Sequence, residues 1–288
     1  MYVARVPIAE SEADTVTDAI LGAIWPETSA AAALEIENKW RLEAYYTEAP
    51  DKADIARIVS RALGRDIPAD SVSIEQIADQ DWVRSSLESL PPVTAGRFIV
   101  HGHHDRDRVR SNQIGIEIEA GLAFGTGHHG TTKGCLVAIN DVLKRFKPHN
   151  ALDIGTGTGV LAIALARATH IPVLATDIDK DAVEVSQENV RANAAQAEVR
   201  VVLADGVRTA SVTDAGPYDL IVANILANPL VAMATGISRL AVPGAALILS
   251  GLLTWQGRQV IAAYRNRGFV LVRRHAIDGW LTLVMEKA

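Results

Sequence analysis

Residues 150–159 read Asn-Ala-Leu-Asp-Ile-Gly-Thr-Gly-Thr-Gly, and this stretch decides the fold. Ala151, Leu152 and Ile154 have the apolar character of the end of a buried strand. The chain then turns through Gly155, Gly157 and Gly159 into Val160-Leu161-Ala162-Ile163-Ala164-Leu165, a run that continues as a helix. Glycine permits a tight turn and leaves room for a ligand beside the backbone. The helix behind it opens with N–H groups that have no intrahelical partner. A strand that breaks into alternating glycines and restarts as a helix is a device for cradling a ligand.

The spacing separates two classes of ligand. Dinucleotide sites carry G-x-G-x-x-G and set a pyrophosphate on the helix dipole. Here the pattern is G-x-G-x-G, and Asp153 precedes it by two residues. A carboxylate there repels pyrophosphate and suits a cationic ligand such as S-adenosylmethionine. The next strand, 172–176, ends in Asp177, an acid placed to accept two ribose hydroxyls. Asp205-Gly206, after the strand at 199–203, falls where a third loop would meet an adenine.

Strands and helices alternate from residue 150 to the C-terminus, with strands also expected at 218–223, 245–250, 269–274 and 280–285. That order predicts a doubly wound, mostly parallel α/β sheet. The last two strands are joined by only residues 276–279, so the last strand runs antiparallel. The strand at 218–223 runs into Asn224-Ile225-Leu226-Ala227-Asn228-Pro229. Strand C-termini beside a glycine loop bind ligands in such sheets, so Asn224 is placed to meet a cofactor or its acceptor, or else to cap the next helix. A second glycine-rich loop, Ala123-Phe124-Gly125-Thr126-Gly127-His128-His129-Gly130-Thr131-Thr132, precedes a helix over 133–146 and offers Thr131 or Thr132 as its cap.

Upstream, the order β-α-β-β-α-β over residues 1–80 is that of a ferredoxin-like domain. It holds no cluster of catalytic groups and reads as a recognition module. Residues 81–113, with a short helix at 81–90 and Pro91-Pro92, read as a linker region with a hinge at 81–96, and 114–288 as the catalytic domain. His101, His103 and His104 stand near Asp105 and Asp107, but no helical H-x-x-x-H partner follows, so a charged loop is expected and no metal.

Composition bounds the remainder. The net charge of −6 is uneven, with 9 basic against 17 acidic residues in 1–100 and 19 against 17 beyond. The acidic front half argues against direct nucleic-acid binding and suits a basic partner or a solvated surface. The single cysteine, Cys135, rules out an intramolecular disulfide. With neither a signal-like N-terminus nor an apolar span of membrane length, a cytoplasmic location is expected and no membrane contact.

Residues 152–159 with Asp177 resemble motif I and the ribose acid of class I S-adenosylmethionine-dependent methyltransferases. The loop 123–132 and the segment 224–227 narrow the resemblance to the ribosomal protein L-eleven methyltransferases, the PrmA family, over the whole chain. Gly130 stands where many members carry proline. The resemblance implies Thr132, Gly155, Asp177 and Asn224 as cofactor contacts, with Gly157 and Asp205 from the wider class pattern. It also implies an amine substrate, lysine side chains or the N-terminal α-amine of a ribosomal protein. The rivals are a methyltransferase acting on lysines of another protein, a nucleic-acid amine methyltransferase, an NAD-dependent oxidoreductase and a non-catalytic nucleotide sensor. Ile225-Leu226 replaces the Pro-Pro of the nucleic-acid enzymes and no aromatic follows it, so a base-stacking platform is missing.

Overall fold

The computed structural model of the chain describes residues 2–21, 23, 25–26, 28, 30–36, 39–76, 92–118 and 130–288. The chain divides into two compact units, Met1–Ser85 and Ser86–Ala288. The first contains β1 (Tyr2–Pro7), α1 (Ala13–Leu21), β2 (Ala30–Ile36), β3 (Lys39–Tyr46), α2 (Lys52–Leu63) and β4 (Ser73–Gln76). Its strands lie in the order β2-β3-β1-β4, every pair antiparallel. Ala4 and Val6 of β1 and Leu42, Ala44 and Tyr46 of β3 share one face by their period of two, and both helices pack there through Val16, Ile20, Ile55 and Val59. Helix α2 starts where the Asp51 carboxylate accepts from Ala53 N (2.7 Å) and stops at Gly64, whose φ is +63°.

The second unit opens with a small sheet of β5 (Val93–Ala95), β6 (Phe98–His101) and β7 (Ile114–Glu117). The first pair is antiparallel and the second parallel. Phe98, Val100 and Ile116 are buried in this unit's core. Residues from Val93 onward, read from the sequence as linker, are therefore folded: an apolar run such as Phe98-Ile99-Val100 needs cover. The helix expected at 81–90, most of the hinge stretch 81–96 and the loop 123–129 lie outside the described residues. In the histidine-rich loop Arg106 forms an ion pair with the Glu117 carboxylate (Nε 2.9 Å), His103 Nδ1 lies 3.1 Å from the same carboxylate, and His104 stands beside Asp105.

There follow α3 (Gly130–Leu143), β8 (Ala151–Ile154), α4 (Val160–Thr169), β9 (Val173–Asp177), α5 (Lys180–Ala192), β10 (Val199–Leu203) and the one-turn α6 (Ala210–Thr213). The chain closes with β11 (Tyr218–Asn224), α7 (Ala227–Leu240), β12 (Ala241–Leu253), α8 (Gly257–Arg265), β13 (Phe269–Ile277) and β14 (Trp280–Lys287). The seven strands lie in the order β10-β9-β8-β11-β12-β14-β13, with β14 antiparallel to both neighbours. A two-residue turn joins β13 to β14, and both of its residues, Asp278 and Gly279, have positive φ. Asp-Gly is suited to such a hairpin turn. Strand β12 extends beyond the expected 245–250, taking in Pro243 beside a register irregularity against β11, where a proline costs no ladder bond.

Alternation sorts the side chains onto two faces. Ala151, Leu220, Val222 and Ile248 pack with α3 and α4, whereas Leu152, Ile154, Ile221 and Leu247 pack with α7 and α8. Burial of each large aliphatic side chain contributes about 1.5–3 kcal/mol. From β8 the chain builds outward through β9 and β10, then crosses to β11 on the other side. The crevice at the C-terminal ends of β8 and β11 is the switch point where ligands bind in doubly wound sheets.

Candidate active site

A cavity of about 700 Å³ occupies that crevice. The glycine loop forms its floor. Gly155, Gly157 and Gly159 have φ of +69°, +56° and +84°, values that favour glycine. A Cβ at Gly155 would collide with Ile225 Cγ2. Gly155 N and Thr156 N both donate to Thr176 O (2.8 and 2.9 Å), which staples the turn to β9. From the other side, α5 holds the loop by its carbonyls: Ser186 Oγ donates to Gly157 O (2.8 Å) and Asn189 Nδ2 to Thr158 O (2.9 Å). One turn further, Asn193 bonds both the N–H and the carbonyl of Glu117. Ser186, Asn189 and Asn193 lie at i, i+3 and i+7, so they share one side of the helical path.

The loop's acids differ from the sequence reading. Asp153 is fully buried and does not line the cavity; the structure corrects its expected ligand-facing role. As the odd residue of β8 it points to the α4 side, where Oδ2 accepts from Thr156 Oγ1 (2.7 Å) and from Ala162 N (3.1 Å). It thereby satisfies one orphan N–H of the α4 N-terminus from below. Burial pushes its carboxyl up to about 7, against the lowering by Thr156 and Ala162. Asp177 and Asp205, in contrast, line the cavity. Asp177 is fixed at the end of β9, with Oδ2 accepting from Gly157 N (2.9 Å) and Oδ1 from Asp179 N (3.1 Å). Each oxygen keeps a lone pair for a ligand hydroxyl.

Thr131, Thr132 and Asn224 form the opposite corner of the lining. The threonines are not caps as expected. Helix α3 begins at Gly130, so both lie inside its first turn, 1% and 0% exposed. Glycines make that burial possible: a Cβ at Gly134 would strike Thr282 Oγ1, and one at Gly130 would lie 3.0 Å from Ile277 O. Nor does Asn224 cap α7, whose N-cap is Leu226. Its Nδ2 donates to Thr131 Oγ1 (3.4 Å), whereas its Oδ1 and Thr132 Oγ1 are buried without a partner among the described residues. A buried polar atom left in that condition costs about 1–3 kcal/mol. Trp280, which the sequence reading missed, also lines the cavity, brought there by the hairpin that inserts β14 beside β12.

Among the described lining residues the only charged ones are Asp177 and Asp205. Their walls are apolar, with Ile178, Leu226 and Met233. Ala162 N is bonded to Asp153 and Gly157 N to Asp177, so neither is free to bind phosphate. A negative, mostly apolar cavity with a fixed acid and two orphaned polar atoms fits S-adenosylmethionine, which joins an adenine, a ribose diol, a sulfonium and an amino acid. The same features oppose a pyrophosphate. Thr132, Gly155, Gly157, Asp177, Asp205 and Asn224, the six positions singled out from the sequence, all border this one space.

A family model described as ribosomal protein L11 methyltransferase (PrmA) matches residues 8–288. The ribosomal protein L11 methyltransferase of Bradyrhizobium diazoefficiens is 49% identical over 280 residues, covering 97% of this chain and 95% of the relative. That of Rhizobium leguminosarum bv. trifolii is 45% identical over 285 residues, covering 98% and 97%. The crystal structure of a ribosomal protein L11 methylase from Lactobacillus delbrueckii subsp. bulgaricus matches with a TM-score of 0.62 at 26% identity, covering 69% of this chain and all of that one. The chain belongs to the ribosomal protein L11 methyltransferase (PrmA) family, and it is an S-adenosylmethionine-dependent protein methyltransferase.

Proposed function

We propose that this protein moves methyl groups from S-adenosylmethionine to amines of ribosomal protein L11, both lysine side chains and the N-terminal α-amine. The observation that carries this reading is the Asn224 carboxamide, whose buried Oδ1 has no partner among the described residues in a cavity otherwise suited to the cofactor. Gly155, Gly157 and Asp177 hold the nucleoside, Asp205 meets the adenine side, and Thr132 and Asn224 bound the methionine end. The cofactor supplies an electrophilic methyl group on a sulfonium. Asn224 Oδ1 accepts a hydrogen bond from the incoming amine and aims its lone pair along the line of displacement.

The amine must arrive neutral. At pH 7 that costs about 4.6 kcal/mol for a lysine of pKa ~10.4 and about 1.4 kcal/mol for an α-amine near ~8. The apolar walls at Ile225 and Leu226 lower an amine's pKa by desolvation. No Glu, His or Lys lines the cavity among the described residues, so orientation and proximity, rather than a fixed base, supply most of the catalysis.

Residues 1–80 serve as the recognition domain, and the unit that holds the cavity, in which residues 93–113 are folded with the rest, transfers the methyl group. The acidic charge of residues 1–100 suits a basic ribosomal protein and not a direct nucleic-acid contact. Among the described residues no helix is long and apolar enough to cross a membrane. The proposed substrate places the protein in the cytoplasm. Mass spectrometry of unmethylated L11 after incubation with the protein and labelled S-adenosylmethionine tests the reading. Label should appear in steps of one methyl on lysines and on the N-terminus. Label confined to another protein would discard L11, and label on lysines alone would discard the α-amine.

A further inference from the structure

Nine large hydrophobic side chains are exposed among the described residues, and five of them, Ile178, Leu203, Leu226, Leu253 and Trp255, sit at the C-terminal ends of β9 to β12. That is the edge of the sheet that holds the cavity. Leu226 and Trp255 are the most open of the five, 71% and 73% exposed. They are connected through the backbone. Gly251 of β12 lies so close to the Ile225 backbone that a Cβ on it would collide with Ile225 O. Leu226 follows Ile225, and Leu253 and Trp255 lie two and four residues past Gly251. Leu253 also pairs with Trp280 of the cavity wall, and Thr254 N donates to Gly279 O (3.1 Å). The apolar strip therefore begins inside the cavity, at Leu226 and Trp280, and continues over its rim to Trp255 on a short 3₁₀ turn (Thr254–Gln256). Exposed apolar surface continuous with a ligand cavity marks an interaction site, and tryptophan is enriched among the residues that dominate such sites.

We propose that the Leu226–Leu253–Trp255 strip docks the stretch of substrate protein flanking the target amine, and that Trp255 seats an apolar side chain of that stretch. This rests on the proposed L11 reading. Continuity with the cavity fixes the occupant, because an amine reaching Asn224 draws its own flanking chain across the rim. The strip carries no formal charge, so it recognises this chain by apolar contact and leaves charge recognition to other surfaces.

Steady-state transfer to L11 by wild type, Trp255→Ala and Trp255→Phe tests it, with the S-adenosylmethionine dissociation constant measured for each. The expected result is a KM for L11 raised about tenfold in W255A, with kcat and cofactor affinity within about twofold of wild type and most of the loss recovered in W255F. An unchanged KM in W255A with active wild type overturns the docking strip alone. A fall in cofactor affinity matching the loss of activity assigns Trp255 to the cofactor cavity and also overturns it. Absence of wild-type transfer to L11 removes the substrate reading and this occupant with it.

Discussion

The two sides of the cavity are built in contrasting ways. On the glycine-loop side almost every polar group is already paired: Gly155 N and Thr156 N with Thr176, Gly157 N with Asp177, and the loop carbonyls with Ser186 and Asn189. On the Thr131–Asn224 side, Thr132 Oγ1 and Asn224 Oδ1 are buried with no partner among the described residues. A paired wall is rigid and reads shape. An unpaired corner reads chemistry, because a ligand that supplies the missing hydrogen bonds recovers their desolvation cost. The first side suits the nucleoside part of the cofactor, which methyl transfer does not alter, and the second suits the methionine end together with the amine that, on the proposed function, reacts there.

If the loop side works through preset shape, a single methyl group should disable it. Gly155→Ala adds a Cβ at φ +69° against Ile225, and it should weaken S-adenosylmethionine binding more than about a hundredfold by calorimetry, the combined effect of backbone strain and overlap. Near-native affinity would show that the loop adjusts and that the contrast is overstated. A milder probe removes one tie: Ser186→Ala or Asn189→Ala should each weaken cofactor binding about fivefold, as expected for losing one hydrogen bond of about 1 kcal/mol. Loss of thermal stability with unchanged affinity would make these side chains merely structural.

The smallest effect concerns the acid beneath the loop. Folded Asp153 keeps its proton up to about pH 7, while an unfolded aspartate releases it near ~3.9. The folded state binds the extra proton in that window, so this group's contribution to stability declines as pH rises from about 4 to about 7. Asp153→Asn should remove the decline, and its melting temperature should gain on wild type by more at pH 8 than at pH 4.5. Parallel melting curves against pH would show that Asp153 is ionised throughout.

The loop side was legible in the sequence and the corner only in part. Glycines at alternate positions and an acid at the next strand's end are local signals, each carried by neighbours in the chain. Thr131 and Thr132 were misplaced as caps because their burial depends on Gly130 and Gly134 meeting β14, more than a hundred residues away. Asp153 was misread for a related reason: its position in β8 decides its face, and the face decides whether it meets ligand or helix. The Ser186, Asn189 and Asn193 spacing is present in the sequence, but polar residues at i, i+3 and i+7 are equally the pattern of a solvated helix face, so the spacing alone does not single them out. Trp280 could not be found without knowing that β14 inserts between β12 and β13.

The division of labour between the two sides is tested most directly by single-turnover methyl transfer to L11 at saturating S-adenosylmethionine, comparing wild type with Asn224→Ala. If the orphaned Asn224 carbonyl orients the amine, the rate should fall about a hundredfold even with cofactor fully bound. A rate restored to the wild-type value by saturating cofactor would confine Asn224 to cofactor binding and contradict the account.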